Sequence, residues 1–232
     1  MVEIKGLEKF APRDFPGFIA ATAFLGGCNF KCPFCHNADL VLRPESLPTF
    51  PLDYFLGFLD MRKDWLEGVC ITGGEPLLHD DLDVLLTIIK ERNLLVKIDT
   101  NGAFPERLDS LIKKGLLDYV AMDVKTSFEK YPKAAGGPVN IEDIKKSIAI
   151  IKESNLDYAF RTTAVPGLVD REDIEKISLA LQGSKMFHIQ QYVPNNTLEG
   201  DYENIKPYPA EELKSWVKIA EPNFTEVQLE GV

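Results

Sequence analysis

Residues 68–99 read GVCITGGEPLLHDDLDVLLTIIKERNLLVKID. The first of them, Gly68–Ile71, are rich in β-forming residues, and so are the last, Leu95–Asp99. Between these two segments, Asp80–Arg92 repeats leucine and isoleucine at the spacing of three and four residues that puts them on one helix face. A strand, a helix and a second strand joined by short connections are typical of a parallel βαβ unit.

The same alternation extends over most of the chain. Four more β-rich segments are Phe18–Leu25, Tyr119–Val124, Tyr158–Thr163 and Phe187–Tyr192. Further helical patterns cover Pro105–Lys114, Asn140–Glu153, Asp170–Leu181 and Ala210–Ala220. Six strand–helix units predict an α/β fold with parallel strands, an incomplete TIM-like (β/α)6 barrel, although a flat doubly wound sheet has the same spacing. With no linker or repeat, we expect one domain over residues 1–232, with a core at about 15–194 and a C-terminal helix and tail at 195–232.

Composition excludes several classes of protein. The 232 residues are 45% hydrophobic and 27% charged, with a formal net charge of -10. The sequence has no basic stripe of the kind that binds nucleic acid. It also has no apolar run long enough to span a membrane. Leu25–Cys28 is similar to a lipoprotein cleavage site, but the prolines and the acidic residue before it make a poor leader. We therefore expect a cytoplasmic protein.

Three of the four cysteines lie close together, as Cys28, Cys32 and Cys35 in a C-x3-C-x2-C pattern. Thiolates favour iron–sulfur clusters, which usually have four cysteine ligands, so three leave one iron open to a substrate. The alternative is a zinc site completed by His36 or Cys70. His36 adjoins Cys35 too closely to reach the same ion, and Cys70 lies in an apolar strand, where a lone cysteine is most often a small buried hydrophobe.

Polar residues recur where the predicted strands end, and barrel enzymes build their active sites at those ends. The segments are Thr72-Gly73-Gly74-Glu75-Pro76, Asp99-Thr100-Asn101-Gly102, Met122-Asp123-Val124-Lys125, Phe160-Arg161-Thr162-Thr163 and Gln190-Gln191-Tyr192. The period of a strand places Asp123 and Lys125 on the same side, where they are costly unless paired or used. Arg161 suits a carboxylate ligand. Any one segment can be a solvated strand end, but a barrel brings all of them together.

The cysteine motif, with the aromatic residue Phe34 just before its third cysteine, resembles the signature of the radical S-adenosylmethionine (SAM) superfamily. The resemblance implies a [4Fe–4S] cluster on the three cysteines, whose open iron binds the amino and carboxylate groups of SAM. One electron then cleaves SAM into methionine and a 5′-deoxyadenosyl radical. It further implies that Phe34 packs near the adenine and that Gly73, Gly74 and Glu75 hold the amino group.

Longer segments resemble the glycyl-radical-enzyme activases within that superfamily. They are residues 26–37 (GGCNFKCPFCHN), 99–102 (DTNG), 122–125 (MDVK) and 161–167 (RTTAVPG), within a likeness that runs from about residue 15 to residue 194. The likeness is greatest to the activases of anaerobic (class III) ribonucleotide reductase, followed by pyruvate formate-lyase activase. It implies that Asp99, Thr100 and Asp123 help to hold a monovalent cation and that Lys125 and Arg161 contact SAM or its carboxylate. Asn101 joins this cofactor-binding set.

One stretch departs from the pyruvate formate-lyase activases, in which a histidine follows the last barrel strand and positions SAM. Here the sequence reads Gln190-Gln191-Tyr192-Val193-Pro194, and Gln191 is the candidate for that last contact. With Cys70 the one remaining cysteine, neither a ferredoxin-like insertion nor an auxiliary cluster is expected.

The function expected from the resemblance is that of an anaerobic oxidoreductase, a radical SAM activase that makes a glycyl radical on a partner enzyme. The partner would be class III ribonucleotide reductase, or else pyruvate formate-lyase, and the electron donor a flavodoxin or ferredoxin. Two other classes stay open: a radical SAM enzyme acting on a small molecule, such as a deazapurine-forming synthase, and a non-catalytic zinc or iron–sulfur module.

Overall fold

The computed structural model describes residues 2–232, and its eight strands form one sheet in which neighbours in sequence are neighbours in space. The strands are β1 (Ile4–Glu8), β2 (Ala20–Leu25), β3 (Gly68–Gly73), β4 (Leu95–Thr100), β5 (Tyr119–Asp123), β6 (Asp157–Ala164), β7 (Ser184–Gln191) and β8 (Phe224–Glu230). The helices are α1 (Ala38–Leu42), α2 (Leu52–Arg62), α3 (Leu82–Lys90), α4 (Pro105–Lys113), α5 (Tyr131–Ala134), α6 (Ile141–Glu153), α7 (Arg171–Ala180) and α8 (Ala210–Ala220). Strands β2 to β8 are parallel, and β1 pairs with β2 in the antiparallel direction.

The strand order rules out a doubly wound sheet. Such a sheet reverses its order at a switch point, whereas this sheet runs from β1 to β8 without a reversal. The sheet is also strongly curved. Its curvature is shown by Lys97 of β4 and Glu230 of β8, which line the same cavity of about 580 Å³. In a flat sheet, strands four positions apart would lie about 19 Å from each other. Since β1 and β8 are not paired within residues 2–232, the barrel is open.

The predicted incomplete TIM-like α/β barrel is therefore confirmed, with all six predicted strands present as β2 to β7. The helices begin at the capping residues, and bury the apolar faces, that their sequences indicate. The Asn140 side chain caps α6 by accepting from the Glu142 N–H, and Asp170 and Asp173 form a capping box at the start of α7. Apolar residues of α6, among them Ile144 and Ile148, are buried in the core.

Five elements were not predicted: the two terminal strands, β1 and β8, and the helices α1, α2 and α5. The segment 195–232, expected to hold a helix and a tail, contains α8 and then adds β8 to the sheet beside β7. Across residues 2–232, none of the helices combines the length and the apolar character needed to span a bilayer.

Candidate active site

A cavity of about 400 Å³ opens where β3 to β7 end, and the loop after β2 forms one of its walls. Every site residue predicted above except Gln191 lines it. These residues are Cys28, Cys32, Phe34, Cys35, Gly73, Gly74, Glu75, Asp99, Thr100, Asn101, Asp123, Lys125 and Arg161. The barrel thus brings together residues that lie up to 133 positions apart in the chain, from Cys28 to Arg161.

The loop that carries the three cysteines is held by short-range hydrogen bonds. The Cys35 N–H donates to the Cys32 carbonyl oxygen over 3.0 Å, and the Phe30 N–H donates to Cys28 Sγ over 3.4 Å. Burial raises the pKa of Cys28 to about 12 and that of Cys32 to about 11. In the metal-free protein these thiols are therefore protonated at neutral pH, and ligation must release their protons.

Three cysteine thiols line the cavity, whereas the two further donors that a zinc site would use, His36 and Cys70, are placed differently. His36 Nε2 is hydrogen-bonded to the Val193 carbonyl oxygen at 2.8 Å, and Cys70 does not line the cavity. The donor set fits a cluster with three protein ligands.

The glycines after β3 let the end of that strand lie directly against the cysteine loop. The Gly74 N–H donates to the Leu25 carbonyl oxygen over 2.9 Å, and the Glu75 N–H donates to that of Gly27 over 2.8 Å. A Cβ at Gly73 would overlap the Leu25 backbone, and a Cβ at Gly74 would overlap the Gly27 carbonyl oxygen. Gly73 also has a φ of +124°, which only glycine adopts readily.

Glu75 is a fully buried carboxyl group that joins two of the loops around the cavity. Its Oε1 accepts from the Leu77 N–H at 3.0 Å and from Thr100 Oγ1 at 2.8 Å, and its Oε2 accepts from the Asn101 N–H at 2.7 Å. Burial raises the pKa of Glu75 to about 7, although these hydrogen bonds oppose the rise. Asn101 Nδ2 in turn donates to Asn29 Oδ1 in the cysteine loop at 2.8 Å.

Charged side chains from three strands face the same cavity. Lys125 Nζ lies 2.9 Å from Asp123, which confirms that both point to one side and shows that they are paired. Arg161 contacts Asp123 through Nε at 2.8 Å and Asp99 through Nη1 at 3.3 Å. Burial would raise the pKa of Asp123, but Arg161 and Lys125 more than offset it and hold that pKa well below its usual value. Lys125 Nζ also lies 6.0 Å from the ring centroid of Phe34, within cation–π range.

Gln191 is the one predicted site residue that the structure places outside the cavity. Its Nε2 donates to the Tyr208 carbonyl oxygen at 2.8 Å, and it is Gln190 that lines the cavity. Successive residues of a strand point to opposite faces, so only one of two adjacent glutamines can face the inside of the barrel.

Sequence reasoning also missed Asn37 and Thr72, which line the cavity. Asn37 Nδ2 donates to the Gly73 carbonyl oxygen at 2.9 Å and so fixes the glycine loop from the cysteine side. Thr72 Oγ1 donates to Asp99 at 3.1 Å. Asn37 follows the cysteine motif and Thr72 precedes the glycine pair. A polar side chain next to a motif was the feature of the sequence that could have identified each of them as a site residue.

Comparison with known proteins agrees with this geometry. Residues 22–180 match the radical SAM superfamily. A protein of Methanocaldococcus jannaschii, provisionally described as a glycyl-radical enzyme activating enzyme, is 35% identical over 235 residues, covering 99% of this chain and 96% of the relative. The pyruvate formate-lyase-activating enzyme of Streptococcus mutans is 26% identical, over 91% of this chain and 84% of the relative.

Solved structures show the same fold. SuiB of Streptococcus suis bound to S-adenosylmethionine superposes with a TM-score of 0.68 at 21% identity, over 88% of this chain. The present chain spans about half of that longer protein, 48% of its length. The family match covers well over half of the described residues, and the chain belongs to the radical SAM superfamily.

Proposed function

We propose that this chain is an activase that makes a glycyl radical on a partner enzyme, and that the partner is an anaerobic (class III) ribonucleotide reductase. The observation that carries the proposal is the convergence of three cysteines and the activase-like strand ends on one cavity. The relative from Methanocaldococcus jannaschii, which has nearly the same length, supports the activase assignment.

The superfamily's cofactors are a [4Fe–4S] cluster and SAM, and the residues around the cavity fit both. Once reduced by an external donor, the cluster would supply the one electron that cleaves the sulfonium of SAM, and the resulting adenosyl fragment would take a hydrogen atom from the glycine. We assign the cluster to Cys28, Cys32 and Cys35, which line one wall of the cavity. The lone cysteine in β3, Cys70, is fully buried and lies apart from them, so one iron keeps an open position.

For SAM, we assign the amino group to the loop formed by Gly73, Gly74 and Glu75. The carboxylate is assigned to Lys125 and Arg161. These two cations share Asp123, so the three groups keep a net positive charge toward an anionic ligand. Because these side chains are partly buried, such a fixed charge attracts an anionic ligand more strongly than it would in bulk water.

Phe34 is assigned to the adenine, because its ring is buried and lines the cavity beside Lys125. Asn101 is assigned to the same cofactor set through its contacts with the cysteine loop, since its Nδ2 lies 3.8 Å from Cys28 Sγ. Gln190 replaces Gln191 as the candidate contact from the last inner strand.

The identity of the partner enzyme is the more specific part of the proposal. Relatives described as pyruvate formate-lyase-activating enzymes match at 26% and 27% identity. The closer likeness of the motifs to class III ribonucleotide reductase activases favours the reductase. The cluster also needs a low-potential one-electron donor, for which we propose a flavodoxin or ferredoxin.

The first experiment measures SAM cleavage. The protein is reconstituted anaerobically with iron and sulfide, reduced and given SAM, and 5′-deoxyadenosine is quantified. We expect product from the wild type and none from Cys32→Ala. Cys70→Ala is the matched control and should retain both iron and activity, because Cys70 lies outside the cavity. Zinc bound without sulfide, and no cleavage, would overturn the assignment.

The second experiment identifies the partner. Electron paramagnetic resonance of a co-expressed class III reductase should show a glycyl radical that requires this chain and SAM. A radical that forms only on a pyruvate formate-lyase would correct the partner. SAM cleavage with no radical on either enzyme would contradict the activase and favour a small-molecule substrate.

A further inference from the structure

Five charged side chains form a continuous chain of ion pairs between the cavity and the inside of the barrel. In order they are Lys97, Asp99, Arg161, Asp123 and Lys125, and we call them the ion ladder. Their signs alternate, and each side chain is at most 29% exposed. Three cations and two anions give the ladder a net charge of +1.

Both carboxylates of the ladder are paired with donors of this chain. Asp99 accepts from Lys97 through Oδ1, and from Thr72 at 3.1 Å through Oδ2, which also lies 3.3 Å from Arg161. Asp123 accepts from Arg161 at 2.8 Å through Oδ1 and from Lys125 at 2.9 Å through Oδ2. No carboxylate oxygen of the ladder is left without a partner.

Thr100, the third residue that the family resemblance assigns to a monovalent cation, is already hydrogen-bonded within the protein. Thr100 Oγ1 donates to Glu75 at 2.8 Å and accepts from the Gly102 N–H at 3.1 Å. The side-chain oxygens of Asp99, Thr100 and Asp123 are therefore all engaged by donors of this chain, and a sodium or potassium ion would have to compete with those donors.

Electrostatics points the same way. Arg161 contacts both carboxylates and so takes the bridging position that a shared cation would require. A metal ion added there would raise the charge of a partly buried group from +1 to +2, beside three fixed cations, and the low dielectric of the interior strengthens that repulsion.

Lys97 completes the arrangement without lining the SAM cavity. Its side chain is 4% exposed, and its Nζ lies beside Asp99 and 3.5 Å from Cys70 Sγ. Lys97 neutralises the part of the negative charge of Asp99 that Arg161 does not neutralise.

We propose that this chain binds SAM without a monovalent cation, because Arg161, with Lys97 as a positioning residue behind it, supplies the positive charge between Asp99 and Asp123. The proposal rests on SAM binding as assigned above and not on the identity of the partner enzyme.

The deciding experiment compares SAM affinity in different salts. Reconstituted protein is freed of alkali cations, and the SAM dissociation constant is measured in tetramethylammonium chloride and in sodium or potassium chloride of equal ionic strength. We expect a difference below threefold. Tightening of threefold or more by either ion would overturn the proposal. Failure to bind SAM in every salt would instead contradict the SAM-site assignment, so the two failures are distinguishable.

A direct measurement of the ion uses no activity at all. Sodium-23 line broadening of the SAM-free protein should show no bound ion in the wild type. In Arg161→Gln and in Lys97→Met, each of which leaves a carboxylate short of one cation, bound sodium should appear. Arg92→Gln is the matched control, because Arg92 pairs with Asp60 at the surface. One sodium bound per wild-type protein would refute the proposal even if either ladder variant failed to fold.

Discussion

At the residue scale, Glu75 is a buried carboxyl group that joins several loops and makes the stability of the protein depend on pH. It accepts three hydrogen bonds, from Leu77, Thr100 and Asn101. Its pKa is nevertheless raised by burial from 4.5 to about 7. The folded state therefore holds the proton more tightly than the unfolded state does. The stability that this group contributes is complete below pH 4.5 and is lost as the pH rises toward 7.

This linkage predicts the behaviour of Glu75→Gln. Between pH 5 and pH 8, the free energy of unfolding of the wild type should fall by about 2–3 kcal/mol relative to the variant, since a neutral amide does not ionise. Urea unfolding of the metal-free proteins at both pH values measures the difference. Glu3→Gln, at an exposed glutamate, is the control. Equal pH dependence in the wild type and in Glu75→Gln would mean that Glu75 is not the titrating group.

The sequence predicted site residues well where a motif and a strand end coincide. The cysteines, the glycine loop and Asp123 with Lys125 all reached the cavity because the chain position and the strand period fix the direction of their side chains. Gln191 lies outside the cavity because adjacent residues of a strand point to opposite faces, and Gln190 takes the inward position. The ion ladder was not foreseen, since pairing across β4, β5 and β6 depends on register, which no local pattern states.

At the scale of elements, the regular helices and strands were predictable because their periodicity is strong. Helix α2 was not, because its apolar residues surround the helix: Phe55 and Phe58 are buried, whereas Tyr54 and Met61 are exposed. Strand β1 is short and carries Lys5 and a glycine, which weakens any β signal.

The contact between β3 and the cysteine loop gives the prediction at this scale. Gly74→Ala places a Cβ on the Gly27 carbonyl oxygen, so the two segments must separate. We expect a loss of about 1–3 kcal/mol in stability and a larger loss of iron and SAM binding. The free energy of unfolding and the iron content after reconstitution measure both.

Gly57→Ala is the matched control, because it lies inside α2 with no atom within 4 Å of the added Cβ. It should leave iron content unchanged and raise stability by about 0.5–1 kcal/mol, as alanine does within a helix. Normal iron and SAM binding in Gly74→Ala would show that the two segments do not need their close approach.

At the scale of the whole molecule, the barrel is left open between β1 and β8, and its last strand is attached to the rest of the sheet through β7 alone. The charged cavity lies at the ends of β3 to β7 and no residue of β8 lines it, whereas Glu230 of β8 lines a different cavity inside the barrel. Stability of the sheet edge and integrity of the cysteine site are therefore expected to be separable properties.

Phe224→Ala tests that separation. Phe224 of β8 stacks on Phe187 of β7 with ring centroids 4.9 Å apart. Losing this partly buried ring should cost about 2 kcal/mol, less than a fully buried one, and lower Tm by about 4–8 °C. Phe10→Ala, at a ring that is 62% exposed, should leave Tm unchanged. Iron content and SAM affinity should be those of the wild type in both variants, because neither ring lines the cavity. A folded Phe224→Ala protein that no longer binds SAM would instead show that β8 holds the inner strands in the geometry that the site requires.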